Sequence, residues 1–143
     1  MAIRTANARW EGGLRDGNGT MAFGSGAFEG AYSFSSRFEE GAGTNPEELI
    51  GAAHAGCFSM ALANDLATAG HEPNWIETTA RVHLEPVEGG FGITRIELAT
   101  EGEVSGLDED EFRRHAESAK QNCPVSKALA GVEISVDATL VEA

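Results

Sequence analysis

Thr44-Asn45-Pro46-Glu47-Glu48-Leu49-Ile50-Gly51-Ala52-Ala53-His54-Ala55-Gly56-Cys57-Phe58-Ser59-Met60 is the stretch on which the fold turns. It opens with helix-start chemistry. Thr44 or Asn45 suits the N-cap, Pro46 the first turn, and Glu47 and Glu48 lie near the positive end of the helix dipole. From Leu49 to Asn64 no side chain carries a formal charge unless His54 is protonated, and Gly70 is the stop signal. A helix that is apolar nearly all round is buried on most sides, so a long central helix is expected here. Its uncharged stretch is shorter than the ~20 residues a membrane span needs and is flanked by acidic residues, which argues against a membrane role.

Strands are expected on both sides of this helix. The first forty or so residues are rich in glycine, with aromatic and apolar clusters at Trp10, Met21-Ala22-Phe23 and Tyr32-Ser33-Phe34, the composition of short strands joined by tight turns. Asp16-Gly17-Asn18-Gly19 starts like a calcium loop, but Met21 stands where such a loop needs Gly and Ala27 where it needs Glu, so it reads as a hairpin turn. Further on, Ile76, Thr78, Ala80, Val82 and Leu84 alternate with Glu77, Thr79, Arg81, His83 and Glu85, one core face and one wet face. After the turn Pro86-Val87-Glu88-Gly89-Gly90 a second strand runs from Phe91 towards Val104, and its apolar phase switches between Ile93 and Ile96, which predicts a bulge. Asp108-Glu109-Asp110-Glu111 begins an exposed helix ending near Asn122, and a last strand runs from Val132 to Val141. Without repeats, low-complexity runs or linkers, residues 1–143 read as a single α+β domain.

Composition narrows the function. A chain of 143 residues can bury a core without disulfide staples or a structural metal. The formal charge of -13, with ten Lys and Arg scattered along the chain, repels phosphate backbones and anionic headgroups, so neither nucleic acid nor a membrane is an expected partner. No N-terminal stretch reads as a secretory signal, so a reducing, cytoplasmic setting is expected. In that setting two cysteines point to redox or metal chemistry rather than a permanent crosslink.

Cys57 and Cys123 each sit in a distinctive context. Cys123 lies in Asn122-Cys123-Pro124-Val125-Ser126-Lys127, where Pro124 suits the first position of a short helix through Ala130 and leaves Cys123 at the N-cap, facing free amide donors. A small residue before a turn explains the same motif equally well. Cys57, in mid-helix, has no dipole end to hold a thiolate and on its own reads as a packed core cysteine. His54, three residues before it, shares its face. Together with Cys123 the two could supply zinc ligands, although no closely spaced second pair appears, and a buried histidine is the simpler reading. Phe58 and Met60 read as core, and Arg81, Arg95 and Lys127 as solvated surface charges.

These residues together are similar to a known family. The run from Thr44 to Met60, Arg37 in Ser35-Ser36-Arg37-Phe38-Glu39, and Asn122-Cys123-Pro124-Val125-Ser126 resemble the OsmC branch of the OsmC/Ohr family of thiol-dependent hydroperoxide reductases, and the likeness extends from Trp10-Glu11-Gly12 to the last strand. The resemblance implies an OsmC-like α+β fold, an antiparallel sheet with a long buried central helix in an intertwined homodimer. It further implies that Cys57 is the peroxidatic thiol and Cys123 the resolving one, with Arg37 and Glu47 as the activating pair, which reverses the order that local helix-end reasoning suggests. The expected activity is reduction of organic hydroperoxides, and less well of hydrogen peroxide, in defence against oxidative or osmotic stress. A Cys57 sulfenic acid and a Cys57–Cys123 disulfide are the expected intermediates, an external thiol or dithiol is the reductant, and no cofactor or metal is required.

Helix geometry adds an expectation of its own. Glu47 and Cys57 are ten residues apart, ~15 Å along a straight helix and off a common face. Two such helices crossing antiparallel near Gly51-Ala52-Ala53 would bring Glu47 of one chain to Cys57 of the other, so an isologous dimer with two shared sites is expected. Two other classes stay open from the sequence. One is a zinc- or thiol-based binding or redox-sensing module without turnover; the other is a stress-induced interaction protein in which the cysteines are inert packing.

Overall fold

The computed structural model describes residues 2–142. The chain gathers into two compact units, one reaching to Leu49 and the other starting at Ile50.

In the first unit β1 (Ala6–Glu11), β2 (Asn18–Phe23) and β3 (Glu29–Tyr32) form an antiparallel sheet in the order β1-β2-β3. The segment Asp16-Gly17-Asn18-Gly19 leads into β2, as a hairpin connection does. Gly19 pairs with both Trp10 and Tyr32, and a Cβ there would stand 2.7 Å from the Trp10 ring and 2.8 Å from the Tyr32 ring. Its bare backbone lets the two rings lean together, with centroids 5.2 Å apart.

A short helix, α1 (Phe34–Phe38), follows β3. The Ser33 hydroxyl accepts from the Ser36 amide at 3.1 Å, and the Ser36 hydroxyl accepts from the Ser33 amide at 2.8 Å, a reciprocal cap. Sequence reasoning did not find this helix because one and a half turns carry no periodicity, and its box closes with Ser instead of the usual Glu or Gln. The Ser36 hydroxyl also donates to the Thr44 carbonyl, and the Asn45 amide donates to the Ser36 carbonyl, which ties α1 to the start of the next helix.

That next helix, α2 (Pro46–Thr68), runs unbroken through the quoted stretch. Asn45 is its cap, since its side-chain oxygen accepts from the Glu48 amide at 2.7 Å, while the Thr44 hydroxyl donates to the Glu48 carboxylate. Gly70 ends it at φ +90, with its amide bonded to the Ala67 carbonyl and the His71 amide to the Leu66 carbonyl, so the expected stop is where the chain turns left-handed. No helix among the described residues is long and apolar enough to cross a membrane.

The second unit is built on β4 (Trp75–Val87) and β5 (Gly90–Glu103), an antiparallel pair joined through Glu88 and Gly89. His83 faces Arg95 while Leu84 faces Ile93, so Thr94 is the extra residue of the expected bulge. After α3 (Glu109–Asn122) and α4 (Pro124–Ala128), β6 (Glu133–Val141) pairs with β5 in parallel. The sheet is therefore mixed and not antiparallel throughout. The two helices form the crossover that a parallel pair requires.

The core of this unit lies between α2, α3 and the sheet. Phe58, Leu62 and Leu66 of α2 are fully buried with Ile96 of β5 and Phe112, Ala116 and Ala119 of α3. Each large apolar side chain buried this way stabilises by about 1.5–3 kcal/mol. Gly51 belongs to the same inward face, since a Cβ there would stand 3.3 Å from a Val82 methyl. The other side of α2 is bare in the single chain, where Ala52, Ala53, Gly56 and Met60 are exposed. Met60, at 76 % exposure, is not the core residue that its apolarity suggested. A helix apolar all round has a second face to cover, and one chain covers only the first.

Candidate active site

Two free thiols meet in the second unit. Cys57 stands in the middle of α2, beside the fully buried Phe58, and remains partly exposed; Cys123 joins α3 to α4 and is fully buried. Their sulfurs are 2.8 Å apart although 66 residues separate them in sequence. Pro124 is the first residue of α4, as expected, but the Cys123 side chain makes no well-formed cap bond to it. The sulfur instead lies close enough to nearby donors for these to act on its charge.

The two thiols do not ionise alike. Burial pushes the Cys123 thiol up, but interactions with Cys57, the Ser126 amide and hydroxyl, and the Val125 amide outweigh it and hold the thiol below its usual range. Burial pushes the Cys57 thiol up, and its hydrogen bond to Cys123 adds to this against a weaker pull from the Val125 amide. The two thiols titrate together as a pair, and their surroundings favour charge on Cys123 over Cys57. Access runs the other way, because only Cys57 is open to a reactant.

Behind the thiols lies His54, fully buried as expected. Its Nε2 is 2.7 Å from the Ser126 hydroxyl, and its Nδ1 is buried with no hydrogen-bond partner among the described residues. Burial holds the imidazole below its ordinary range, so it is neutral at pH 7. Ser126 carried no role in sequence reasoning. The signal available was a matched spacing, His54 three residues before Cys57 and Ser126 three after Cys123.

Arg37 and Glu47 meet in the first unit. Nε of Arg37 donates to Oε1 of Glu47 at 3.0 Å and Nη2 donates to Oε2 at 2.9 Å, a two-point contact that fixes the guanidinium plane. The Glu47 side chain is 9 % exposed and the Arg37 side chain 37 %, so the carboxylate is the sheltered partner and the guanidinium keeps an open edge. The capped α1 and the capped start of α2 supply these two side chains. Arg37 also lines a cavity of about 220 Å³ whose other walls include Trp10, Leu14, Tyr32, Phe34 and Phe38. The pocket is apolar and aromatic apart from Arg37 and Ser33, a place for an organic group beside a cation.

The zinc arrangement weighed from the sequence is not assembled. Among the described residues no group of three or more His, Cys, Asp or Glu is placed to hold a metal ion. Arg81, Arg95 and Lys127 are exposed, as expected.

A mixed α+β sheet, a central helix carrying one thiol and a crossover carrying its partner define the chain as a dithiol protein. Residues 39–137 match the family model described as OsmC-like protein, and the chain belongs to that family. It is 48% identical over 135 residues to the peroxiredoxin OsmC of Escherichia coli (strain K12), covering 94% of each chain. It is 36% identical over 104 residues to the organic hydroperoxide resistance protein of Xanthomonas axonopodis pv. citri (strain 306), covering 70% of this chain and 67% of that one. Among solved structures it resembles the organic hydroperoxide resistance protein OhrB of Bacillus subtilis with a TM-score of 0.72 and 27% identity, covering 96% of this chain and 98% of that one.

Proposed function

We propose that this chain is a cysteine-based peroxidase that reduces organic hydroperoxides to alcohols. The observation that carries the reading is the contact of two free thiols at 2.8 Å, one reachable and one fully buried. Cys57, the reachable one, attacks the distal peroxide oxygen as a thiolate; the O–O bond breaks, the alcohol leaves with a proton, and Cys57 holds a sulfenic acid. Cys123 then attacks the Cys57 sulfur, the S–O bond breaks, water leaves and a disulfide forms. An external thiol or dithiol reduces it by exchange, with no cofactor.

The surroundings of the pair favour charge on Cys123, so Cys57 needs a cation from elsewhere. Arg37, oriented by Glu47, supplies it. In an isologous dimer the bare stripe Ala52, Ala53, Gly56 and Met60 of α2 packs on its two-fold mate and carries the Arg37–Glu47 pair of one subunit to Cys57 of the other. This shifts the crossing from the sequence-based centre, because Gly51 is engaged with its own sheet. The aromatic cavity beside Arg37 favours substrates with an organic group over hydrogen peroxide. The setting is the cytoplasm, and the role is defence against peroxide stress.

The test is an intact mass after one equivalent of an alkyl hydroperoxide is added to the reduced protein. Loss of two hydrogens is expected, with Cys123→Ser accumulating a Cys57 sulfenate instead. No reaction, or unchanged turnover in Cys57→Ser, rejects the reading.

A further inference from the structure

A fully buried histidine with one ring nitrogen bonded to a serine and the other without a partner among the described residues is a poor choice for packing alone. Burial withholds water from both nitrogens, and an apolar residue of similar size would leave no polar atom unpaired. The residues on either side show what it can serve. Nε2 of His54 is 2.7 Å from the Ser126 hydroxyl, Ser126 lies on α4 three residues after Cys123 with its hydroxyl acting on the Cys123 sulfur, and that sulfur is 2.8 Å from Cys57. The four side chains form one continuous file from the buried imidazole to the reachable thiol.

We propose that His54 and Ser126 form a proton relay that ionises Cys123 at the moment it attacks the oxidised Cys57. The inference rests on the dithiol peroxidase reading above and assigns it two further residues. The need for a relay follows from the change in Cys57 itself. In the reduced pair the Cys57 S–H is the strongest single hydrogen-bonding influence favouring the Cys123 anion. Once Cys57 carries oxygen that S–H is replaced by a sulfenic O–H that has to leave as water, and Cys123, fully buried, must lose its proton away from solvent.

The Cys123 S–H proton passes to the Ser126 oxygen as the Ser126 hydroxyl proton passes to Nε2 of His54. The Cys123 sulfur pair forms the S–S bond as the S–O bond of the Cys57 sulfenic acid breaks, and the departing hydroxide takes a proton from solvent on the open side of Cys57 and leaves as water. Cys57, oxidised by the peroxide, is reduced by one electron pair shared with Cys123, and the imidazolium later returns its proton to solvent. Burial keeps the resting imidazole neutral and so able to accept. The titratable groups along the file are His54, Cys123 and Cys57 themselves, and no charged group adds to the influence of burial on His54. Ser126, bonded to Nε2 of His54 at 2.7 Å and three residues after Cys123 at the start of α4, is the link to the sulfur; His54 is a positioning residue that acts through it.

The experiment is a single turnover with an alkyl hydroperoxide, following sulfenate by dimedone trapping and disulfide by intact mass, in wild type, His54→Gln, Ser126→Ala and Ser126→Thr. Gln can keep the hydrogen bond to Ser126 but cannot take a proton, so a purely structural role is preserved by it and a relay is not. Sulfenate is expected to form in every variant. Its conversion to disulfide at neutral pH is expected to slow by roughly a hundredfold in His54→Gln and Ser126→Ala, the lower end of what a positioned base contributes, and to be retained in Ser126→Thr. As pH rises into the thiol range the slow variants are expected to converge on wild type, because Cys123 then ionises without help. Equal resolution rates in wild type, His54→Gln and Ser126→Ala, or a loss by the same factor at every pH, overturns the relay. If His54→Gln fails to fold by circular dichroism, the two Ser126 variants decide alone. Failure of wild type to form sulfenate and disulfide rejects the peroxidase reading instead, so the two failures are told apart.

Discussion

Arg37 and Glu47 share two hydrogen bonds but not equal shelter, and the asymmetry has a measurable sign. Arg37→Ala leaves a carboxylate with 9 % side-chain exposure unpaired, while Glu47→Gln leaves a guanidinium that still has solvent on one edge. We expect urea denaturation to show a loss of about 3 kcal/mol for Arg37→Ala, the range for a buried charge stripped of its partner. Glu47→Gln should cost about 1–2 kcal/mol, the worth of hydrogen bonds to a charged group. The reverse order would mean that the carboxylate is hydrated in solution. His54 sets a pH limit. Burial lowers its folded pKa below the 6.5 of a free imidazole, so the unfolded chain binds the proton more readily. The stability this imidazole allows is therefore fully present above about pH 6.5 and declines as pH falls from there towards the folded value. Urea midpoints from pH 8 to pH 5 should show the decline, and His54→Gln should flatten that part of it. At this scale the sequence named Cys57, Cys123, Arg37 and Glu47 through resemblance, whereas composition and spacing alone favoured Cys123 as the reactive thiol. Ser126 stayed hidden because its partner is 72 residues away and no local pattern links them.

Caps and stops are where elements were most readable. Asn45, Gly70, Asp108 and Pro124 are local chemistry, decided within a few residues, and each lies at the boundary that its type suggests. The bulge at Thr94 was visible for the same reason, since a skipped beat in the alternation has few other causes. The parallel pairing of β6 was not visible, because register and direction depend on how α3 and α4 return the chain. These boundaries are testable singly. Asp108 accepts from the Glu111 amide at 2.8 Å, and Asp108→Ala should lower stability by about 1 kcal/mol. Gly70→Ala, at φ +90, should cost about 1–2 kcal/mol through the left-handed backbone alone. Thermal unfolding of the two single variants checks both values.

For the molecule as a whole, the bare face of α2 is the surface that decides assembly. Ala52, Ala53, Gly56 and Met60 present an uncharged stripe on a chain of net charge -13, and a like-charged copy approaches most easily where charge is absent. Sedimentation should find a dimer for the native chain and a monomer for Met60→Glu, with peroxide turnover lost together with the dimer. A monomeric wild type with full activity would instead require each chain to complete its own site. The separation of the two sulfurs along the chain has a further consequence for newly folding molecules. A span of 66 residues makes their encounter in an unfolded chain an entropically unfavourable loop closure, and the parallel strand that completes the crossover is a long-range pairing of the slow kind. An oxidant that reaches the chain early therefore finds two isolated thiols and leaves them as separate adducts, whereas one that arrives late finds a couple. The internal bridge thus doubles as a certificate of completed folding: the fraction of chains able to close it after a peroxide pulse should track, second by second, the recovery of native structure from denaturant.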